Sequence, residues 1–345
     1  MPATNRNLSK LRLAQADRER LKLLFLAKHA LADGERDPVD GDHAVYHCHV
    51  RDTLEQLGFN LRVANSFEAL FQELDVDFVF SLLNRGGFYN SEMLAPLLCS
   101  RLETPYLGAR PILRGLSDDK HLMKMAARAR GVPTAQSAIY RLGQPVDETA
   151  PFAAKRYVSK PNNSSASWGV EDAADWRTVR AHIAELHEAG HDALIEPFIR
   201  GIDLELPVIG GPEGEQFLPL MRFTFDPEAL RTYAHKRGFE ASSAKLEQEL
   251  DPIVIEKTAE FTQALMPELA PFDYGRFEFR LDSETGEISF LEVNLQCNIW
   301  QPRVIGTSAA IAGFTYPELL ETIITASMLR QGLLEHQPER FEADG

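Results

Sequence analysis

Hydrophobic and polar positions change period several times along the chain, and the changes mark out its elements. Leu21–Ala27 is a short continuous apolar run, the pattern of a strand buried on both faces in a parallel sheet. The turn-rich DGERDPVDGD follows, and His43 to Leu57 then reads as a helix closed by Gly58. FNLRVA at 59–64, a helical stretch over 66–74 and DFVFSLL at 77–83 continue the alternation of strand and helix. That alternation predicts a doubly wound parallel sheet. A helix over 91–102 and a short strand at 105–108 follow it. Residues 1–20 are charged and predict a poorly anchored lead-in.

The second half changes character. Ser117-Asp118-Asp119-Lys120 opens a helix, with Lys120 and Lys124 one turn apart, and Gly131-Val132-Pro133 closes it. After a Pro-bounded linker at 145–151, AAKRYVSKP predicts a strand with Lys160 near its end, followed by the small-residue loop NNSSASWGV. A lysine beside a loop with little side-chain bulk suits a phosphate, although GxxxxGK[ST] is absent and such loops are commonly plain turns. A helix over 173–189 leads to the apolar strand ALIEPFIRG, Ala193–Gly201, which carries one acid, Glu196. A planar base laid there would meet the Pro197 carbonyl and the Ile199 N–H, with Glu196 accepting from an exocyclic amine and Asp203 holding ribose hydroxyls. DLELPVIG and QFLPLMRFTF predict antiparallel strands. Residues 226–245 are polar and mixed, bear Tyr233, His235 and Lys236, and read as an active-site cover or a surface loop.

Helices over 251–266 and 316–331 bracket the most informative stretch, GRFEFRLDSETGEISFLEVNLQCN at 275–298. A period of two puts Arg276, Glu278 and Arg280 on one face and Phe277, Phe279 and Leu281 on the other. ISFLEVN likewise puts Glu292 and Asn294 together. With Ser283–Glu287 as the loop, Asp282 faces Ile288 and the ladder sets Glu278 opposite Glu292. Facing carboxylates repel unless a cation lies between them. Two carboxylates and an amide oxygen suit a hard cation such as Mg²⁺, which keeps positions for water or phosphate. The competing reading is an edge hairpin whose acids are neutralised by Arg276 and Arg280.

Composition narrows the function classes. At 345 residues, 44% hydrophobic and 25% charged, the chain has room for two or three ordinary globular domains. A net charge of −15 argues against nonspecific nucleic-acid or anionic-membrane binding. Cys48, Cys99 and Cys297 have neither metal-ligand nor disulfide-framework spacing, and the N-terminus carries no long apolar run, so a cytoplasmic protein is expected. The cluster His43, His47 and His49 with Cys48 could suggest a metal site, but only His43 and His47 share a helical face and no acidic ligand accompanies them there.

Taken in order, DK at 119–120, KP at 160–161 with its loop, LIEPFIRG, HK at 235–236, GRFEF and LEVN resemble the ATP-grasp superfamily. From about residue 75 to 330 the chain is similar to the D-alanine–D-alanine ligase family. The resemblance implies mixed α/β and α+β architecture, with a doubly wound domain over 21–116 ahead of an ATP-grasp fold. The central subdomain would span 117–200, the C-terminal domain with the metal site 201–335, and a polar tail 336–345. It implies ATP and Mg²⁺ as cofactors, two ions, with Mn²⁺ as a substitute. Lys120 and Lys160 match phosphate-binding lysines, Ser167 falls in the loop over the phosphates, and Lys236 matches the lysine of the mobile cover. Glu196, Pro197, Ile199 and Asp203 match the adenosine site. Glu278, Glu292 and Asn294 match the metal ligands, and Arg276 the arginine that stabilises the reacting carboxyl.

The activity so implied is ATP-dependent carboxylate–amine ligation through an acylphosphate. Its partners would be a small-molecule carboxylic acid and an amine such as an amino acid, with no nucleic acid or membrane and with a homodimer allowed. Three departures concern the substrates. Asn84, beside Arg85, stands where the family carries a histidine, and Ala166 where it carries a serine. Leu295-Gln296-Cys297-Asn298-Ile299-Trp300 replaces a run with Pro-Gly, which places Asn298 and Trp300 at the second-substrate pocket or Trp300 in the C-terminal core against helix 316–331. These departures predict substrates other than two D-alanines, as in specialised metabolite biosynthesis. The alternatives are a housekeeping D-alanine–D-alanine ligase with a divergent pocket, a ligase using another nucleophile, and an ATP-binding regulatory protein without turnover.

Overall fold

Charged residues dominate the start of the chain, yet two leucines anchor it. The computed structural model describes residues 8–83, 91–164, 167–230 and 244–340. Its first strand, β1 (Leu11–Arg12), precedes helix α1 (Gln15–Arg20). Leu11 and Leu13 are buried, and their N–H groups donate to Thr322 Oγ1 and Glu321 Oε1, each at 3.0 Å. Arg18 forms a buried ion pair with Glu321. Residues 8–20 are therefore firmly attached, contrary to the expected loose lead-in, because burying two leucines and pairing one arginine outweighs the charged composition.

The parallel sheet follows the predicted alternation: β2 (Lys22–Leu26), α2 (His43–Gln56), β3 (Asn60–Ala64) and β4 (Phe78–Ser81), in the order β3-β2-β4. The helix expected over 66–74 is a single 3₁₀ turn, Phe67–Leu70. Leu70 is buried but Phe71 is exposed, so no apolar stripe supports a longer helix. The strand expected at 105–108 is one parallel bridge, Tyr106 to Val79, after α3 (Leu94–Arg101). Helix α4 (Pro111–Asp118), which the pattern did not predict, abuts α5 (Lys120–Ala129), and Asp119 caps α5 by accepting from Leu122 N.

The next sheet combines β5 (Ala138–Tyr140), β6 (Tyr157–Pro161), β7 (Glu171–Ala173) and, after α6 (Trp176–Glu188), β8 (Ala193–Pro197), in the order β5-β8-β6-β7. One face packs on α6 through Tyr157, Ile195, Val179 and Ile183. The period of two therefore turns Lys160 and Glu196 to the opposite face. The third sheet is antiparallel. It contains β9 (Gly201–Gly211), β10 (Gly214–Phe217), β11 (Met221–Thr224), β12 (Lys245–Gln248) and, after helix α7 (Pro252–Leu269), β13 (Tyr274–Asp282) and β14 (Ile288–Asn294). Leu204, Leu206, Phe277, Phe279 and Val293 share a core with Leu265 and Met266 of α7 and with Met123 of α5. The alternate residues of β9, β13 and β14 form the polar face.

Helix α8 (Val304–Ile311), also unpredicted, leads to α9 (Tyr316–Arg330), and the short strand β15 (Glu339–Arg340) pairs with β1. Glu339 and Arg340, within the polar tail expected over 336–345, thus return to the body of the molecule, while residues 341–345 lie outside the described residues. Leu319, Leu320, Ile323 and Ile324 of α9 join a core that includes Phe25, Phe80, Tyr46 and Ile209. One helix thereby ties the parallel sheet to the antiparallel one. Asp273, just ahead of β13, adds a polar tie, accepting from Gly108 N at 2.6 Å, Ser327 Oγ at 2.7 Å and the Arg330 guanidinium.

Candidate active site

The hairpin forms the floor of the site. Beside its loop Leu281 faces Ile288, one residue out of step with the simple ladder the sequence predicts. A β-bulge between Glu278 and Phe279 absorbs the difference, and beyond it Glu278 faces Glu292 and Arg276 faces Asn294, as expected. Along the other edge of β13, Glu278 faces Glu205 of β9. Three glutamates therefore cross three adjacent strands on the polar face.

Such a row is unfavourable without cations. Arg276 supplies one: its Nη2 donates to Glu278 Oε1 at 2.5 Å, and its Nε lies 2.9 Å from Glu205 Oε2. Burial opposes a charged guanidinium there, but the two carboxylates outweigh it and raise the Arg276 pKa. Lys120, at the start of α5, supplies the other, with Nζ 3.2 Å from Glu292 Oε2 and 2.6 Å from the Ser164 carbonyl. Burial again disfavours its charge, and Glu292 and Asp118 raise its pKa in spite of that. Arg280 holds Asp203 Oδ1 at 2.7 Å and the Ile199 carbonyl at 3.1 Å.

The facing wall comes from β6 and β8. Glu196, 4% exposed, lies between Lys160 (2.6 Å) and Lys124 (2.5 Å). Burial raises the pKa of its carboxyl, but the two ammonium groups bring it down to about 2. Lys124 also donates to Thr134 Oγ1 at 2.8 Å, and burial brings its own pKa down to about 8. Phe198 continues the wall, with the Arg156 guanidinium 4.0 Å from its ring centre.

The loop after β6 is tied to α5: Lys120 N donates to Asn162 O at 3.2 Å and His121 N to Asn162 Oδ1 at 2.9 Å. Ser167 adopts a left-handed φ of 60°, a conformation a non-glycine residue holds only where its surroundings impose it. A Cβ on Gly169 would meet Pro161 Cγ at 2.9 Å, so the loop folds back tightly onto β6.

One cleft gathers Lys120, Lys160, Ser167, Glu196, Pro197, Ile199, Asp203, Glu278 and Glu292 from the set chosen by sequence. Asn294 lies beside its floor, and its Oδ1 accepts from Gln296 N at 2.9 Å. Lys236, Asn84, Arg85 and Ala166, with Tyr233 and His235, lie outside the described residues. Asn298 and Trp300 do not line this cleft. Asn298 Oδ1 accepts from Trp300 N at 2.8 Å, and the Trp300 indole donates to His49 Nδ1 at 3.0 Å beside Tyr46. Trp300 thus packs beside α2, whereas the core alternative weighed for it was packing against helix 316–331.

Sequence reasoning missed Glu205 and gave Lys124 no role. The signal for Glu205 was present, an acid two residues after Asp203 within an apolar strand. Among the described residues, two groups of three His, Cys, Asp or Glu side chains come close enough to share an ion: His29, Asp37 and Asp40, and Glu171, His182 and Glu185. The first lies beside α2, where His29 stacks on His47, and its Asp40 is also paired with Lys28.

Residues 154–325 match the family model described as the D-ala D-ala ligase C-terminus. A D-alanine–D-alanine ligase of Gluconobacter oxydans is 26% identical over 231 residues, covering 66% of this chain and 74% of that protein. The ATP complex of a D-alanine–D-alanine ligase from Bacillus anthracis superposes with a TM-score of 0.71 at 19% identity, over 90% of this chain and 99% of that one. A D-Ala:D-Ser ligase from Enterococcus faecalis gives 0.66 at 12% identity, over 89% and 99%. Fold and cleft together define an ATP-grasp enzyme, an ATP-dependent carbon–nitrogen ligase. Within that superfamily the chain belongs to the D-alanine–D-alanine ligase-like family.

Proposed function

We propose that this protein activates a carboxylate as an acylphosphate at the expense of ATP and passes the acyl group to the amine of an amino acid. The observation that carries the reading is the meeting of opposite charges in one cleft, Lys120 and Lys160 with Glu278 and Glu292 of the hairpin, with Arg276 paired to Glu278 beside it. The donor set fits a hard divalent cation, since all three candidate ligands offer oxygen. Glu278, Glu292 and Asn294 would hold Mg²⁺, two ions in all, which when bound offset charge on the phosphates.

The protein's own groups do the rest. Lys120 and Lys160 face the phosphate end and reduce repulsion between ATP and the substrate carboxylate. Glu196 stays ionised at neutral pH and serves as an acceptor for an adenine amine, with the Pro197–Ile199 backbone along the base edge and Asp203 at the ribose. Arg276, fixed by its carboxylate partners, offers its guanidinium to the oxygen that gains charge when the amine attacks the acyl carbon. Lys236 would close the phosphate side.

The relatives favour D-alanyl-D-alanine as the product, because the Gluconobacter oxydans and Bacillus anthracis proteins are D-alanine–D-alanine ligases. A second reading, with another acceptor, rests on the run Leu295–Trp300, which has no Pro-Gly. A screen of ADP release across D-alanine, D-serine, other amino acids and carboxylic acids, with mass spectrometry of the product, separates them. Efficient D-alanyl-D-alanine synthesis establishes the first reading. Release only with a different pair establishes the second, and no substrate-dependent ADP release across the panel rejects the ligase assignment.

A further inference from the structure

Glu205 lies on the central strand of the polar sheet, 2% exposed, directly opposite Glu278 and with Oε2 2.9 Å from Arg276 Nε. A strand core does not gain stability from a third carboxylate in line with two others. Its position relative to Arg276 supplies a reason. In this structure Glu278 is bonded to Arg276, and the same carboxylate is a proposed metal ligand. Turning Glu278 toward a cation withdraws it from the guanidinium. A buried arginine deprived of its carboxylate is costly to leave in place, so with Glu278 as sole partner the arginine and the cation would compete for one group.

We propose that Glu205 is a positioning residue that keeps Arg276 paired and oriented while Glu278 is transferred to the metal. The inference rests on the site proposed above, with Glu278 and Glu292 as metal ligands. Glu205 approaches Nε, whereas Glu278 takes both Nε and Nη2, so the guanidinium keeps an anchor on its inner edge when the Glu278 contact loosens. Glu205 would thereby set both the metal affinity and the aim of the arginine without touching metal or substrate.

The test is Mn²⁺ binding to the full-length protein with a non-hydrolysable ATP analogue, followed by electron paramagnetic resonance, in the wild type, Glu205→Gln, Glu205→Asp and Glu292→Gln. Glu205→Gln is expected to weaken Mn²⁺ binding on the order of 10-fold, as the loss of a group supporting a ligand does, with Glu205→Asp intermediate. Analogue binding without metal should be unchanged. If Glu205→Gln does not fold, Glu205→Asp decides, by weaker or unchanged Mn²⁺ binding. A purely structural role would lower the melting temperature and leave the Mn²⁺ constant as in the wild type, which overturns the inference. If Glu292→Gln also binds Mn²⁺ like the wild type, the metal site itself is rejected. A normal Glu205 variant beside a defective Glu292 variant rejects the role of Glu205 alone.

Discussion

Glu292 and Lys124 show how differently two ion pairs of one cleft are expected to behave. The Glu292 side chain is 25% exposed, paired with Lys120 and opposed by Glu278. Glu292→Gln removes a partly solvated pair worth about 0–1 kcal/mol and relieves a cross-strand repulsion of similar size. Metal-free stability should therefore stay within about 1 kcal/mol of the wild type, while turnover falls about 100-fold or more if Glu292 is a ligand. Urea unfolding beside an ADP-release assay measures both. A stability loss above about 3 kcal/mol with normal turnover would make Glu292 a structural partner only. Lys124 is fully buried, between Glu196 and the Thr134 hydroxyl. Lys124→Met leaves a buried carboxylate with one cation instead of two and should cost about 3–5 kcal/mol in urea unfolding. A change below about 1 kcal/mol would show that Lys160 alone suffices for Glu196.

At the scale of elements, the β-bulge in the hairpin and the segment after β14 carry the most consequence. The bulge lets the loop close in one register while Glu278 and Glu292 keep another, so the carboxylate pair depends on the whole length of both strands. A one-residue slip would turn those acids into the phenylalanine core. The segment Asn298–Arg303 is held differently, by Trp300 against Tyr46 and His49 of α2. Trp300→Ala should cost about 2–4 kcal/mol of stability, somewhat less than a fully buried tryptophan because the side chain is half-buried. Calorimetry measures the loss, and relative kcat/KM for competing amino acids reads specificity. Unchanged acceptor preference would confine Trp300 to packing, and a changed preference with full stability would return it to the substrate pocket.

For the molecule as a whole, the packing of α2 against the first sheet makes stability depend on pH. His47 is 5% exposed, stacked on His29 with ring centres 5.7 Å apart and close to His43, while Asp40 and Lys28 flank His29. Burial and then the neighbouring histidines lower its pKa from 6.5 to about 3. The folded state therefore holds His47 neutral, whereas the unfolded chain takes up a proton below pH 6.5. This contribution is fully present above that pH and is lost as the pH falls toward 3, by about 1.4 kcal/mol per unit in between. Between pH 7 and pH 5 the group should remove about 2 kcal/mol, and His47→Asn should flatten that part of the profile. Parallel profiles for the two proteins would show that His47 is protonated without penalty in the fold.

Local pattern by itself determined the strands of the parallel sheet, helices α2, α5, α6 and α9, and the sharing of one hairpin face by Glu278, Glu292 and Asn294. Each follows from a period of 2 or 3.6 together with a turn or cap, all of which are near neighbours in the chain. The same reasoning singled out Lys160, Glu196, Asp203, Glu278 and Glu292, since charged positions in otherwise apolar strands must lie on a face that meets solvent or a ligand, whereas Lys120 and Ser167 entered the site only through the family resemblance. Tertiary structure alone decided the partners. Glu205 meets Arg276 across two strands 71 positions apart, Lys124 reaches Glu196, and Leu11 and Leu13 dock on α9 more than 300 residues away. The β-bulge was likewise hidden, because a simple ladder carries a single register from the loop to Glu278 and Glu292, whereas the apolar pairs Phe279 with Phe290 and Leu281 with Ile288 close the loop one residue out of step. Trp300 illustrates the same limit: the sequence admits a pocket or a core, and the choice falls to which helix arrives beside it, α2, from the other end of the chain.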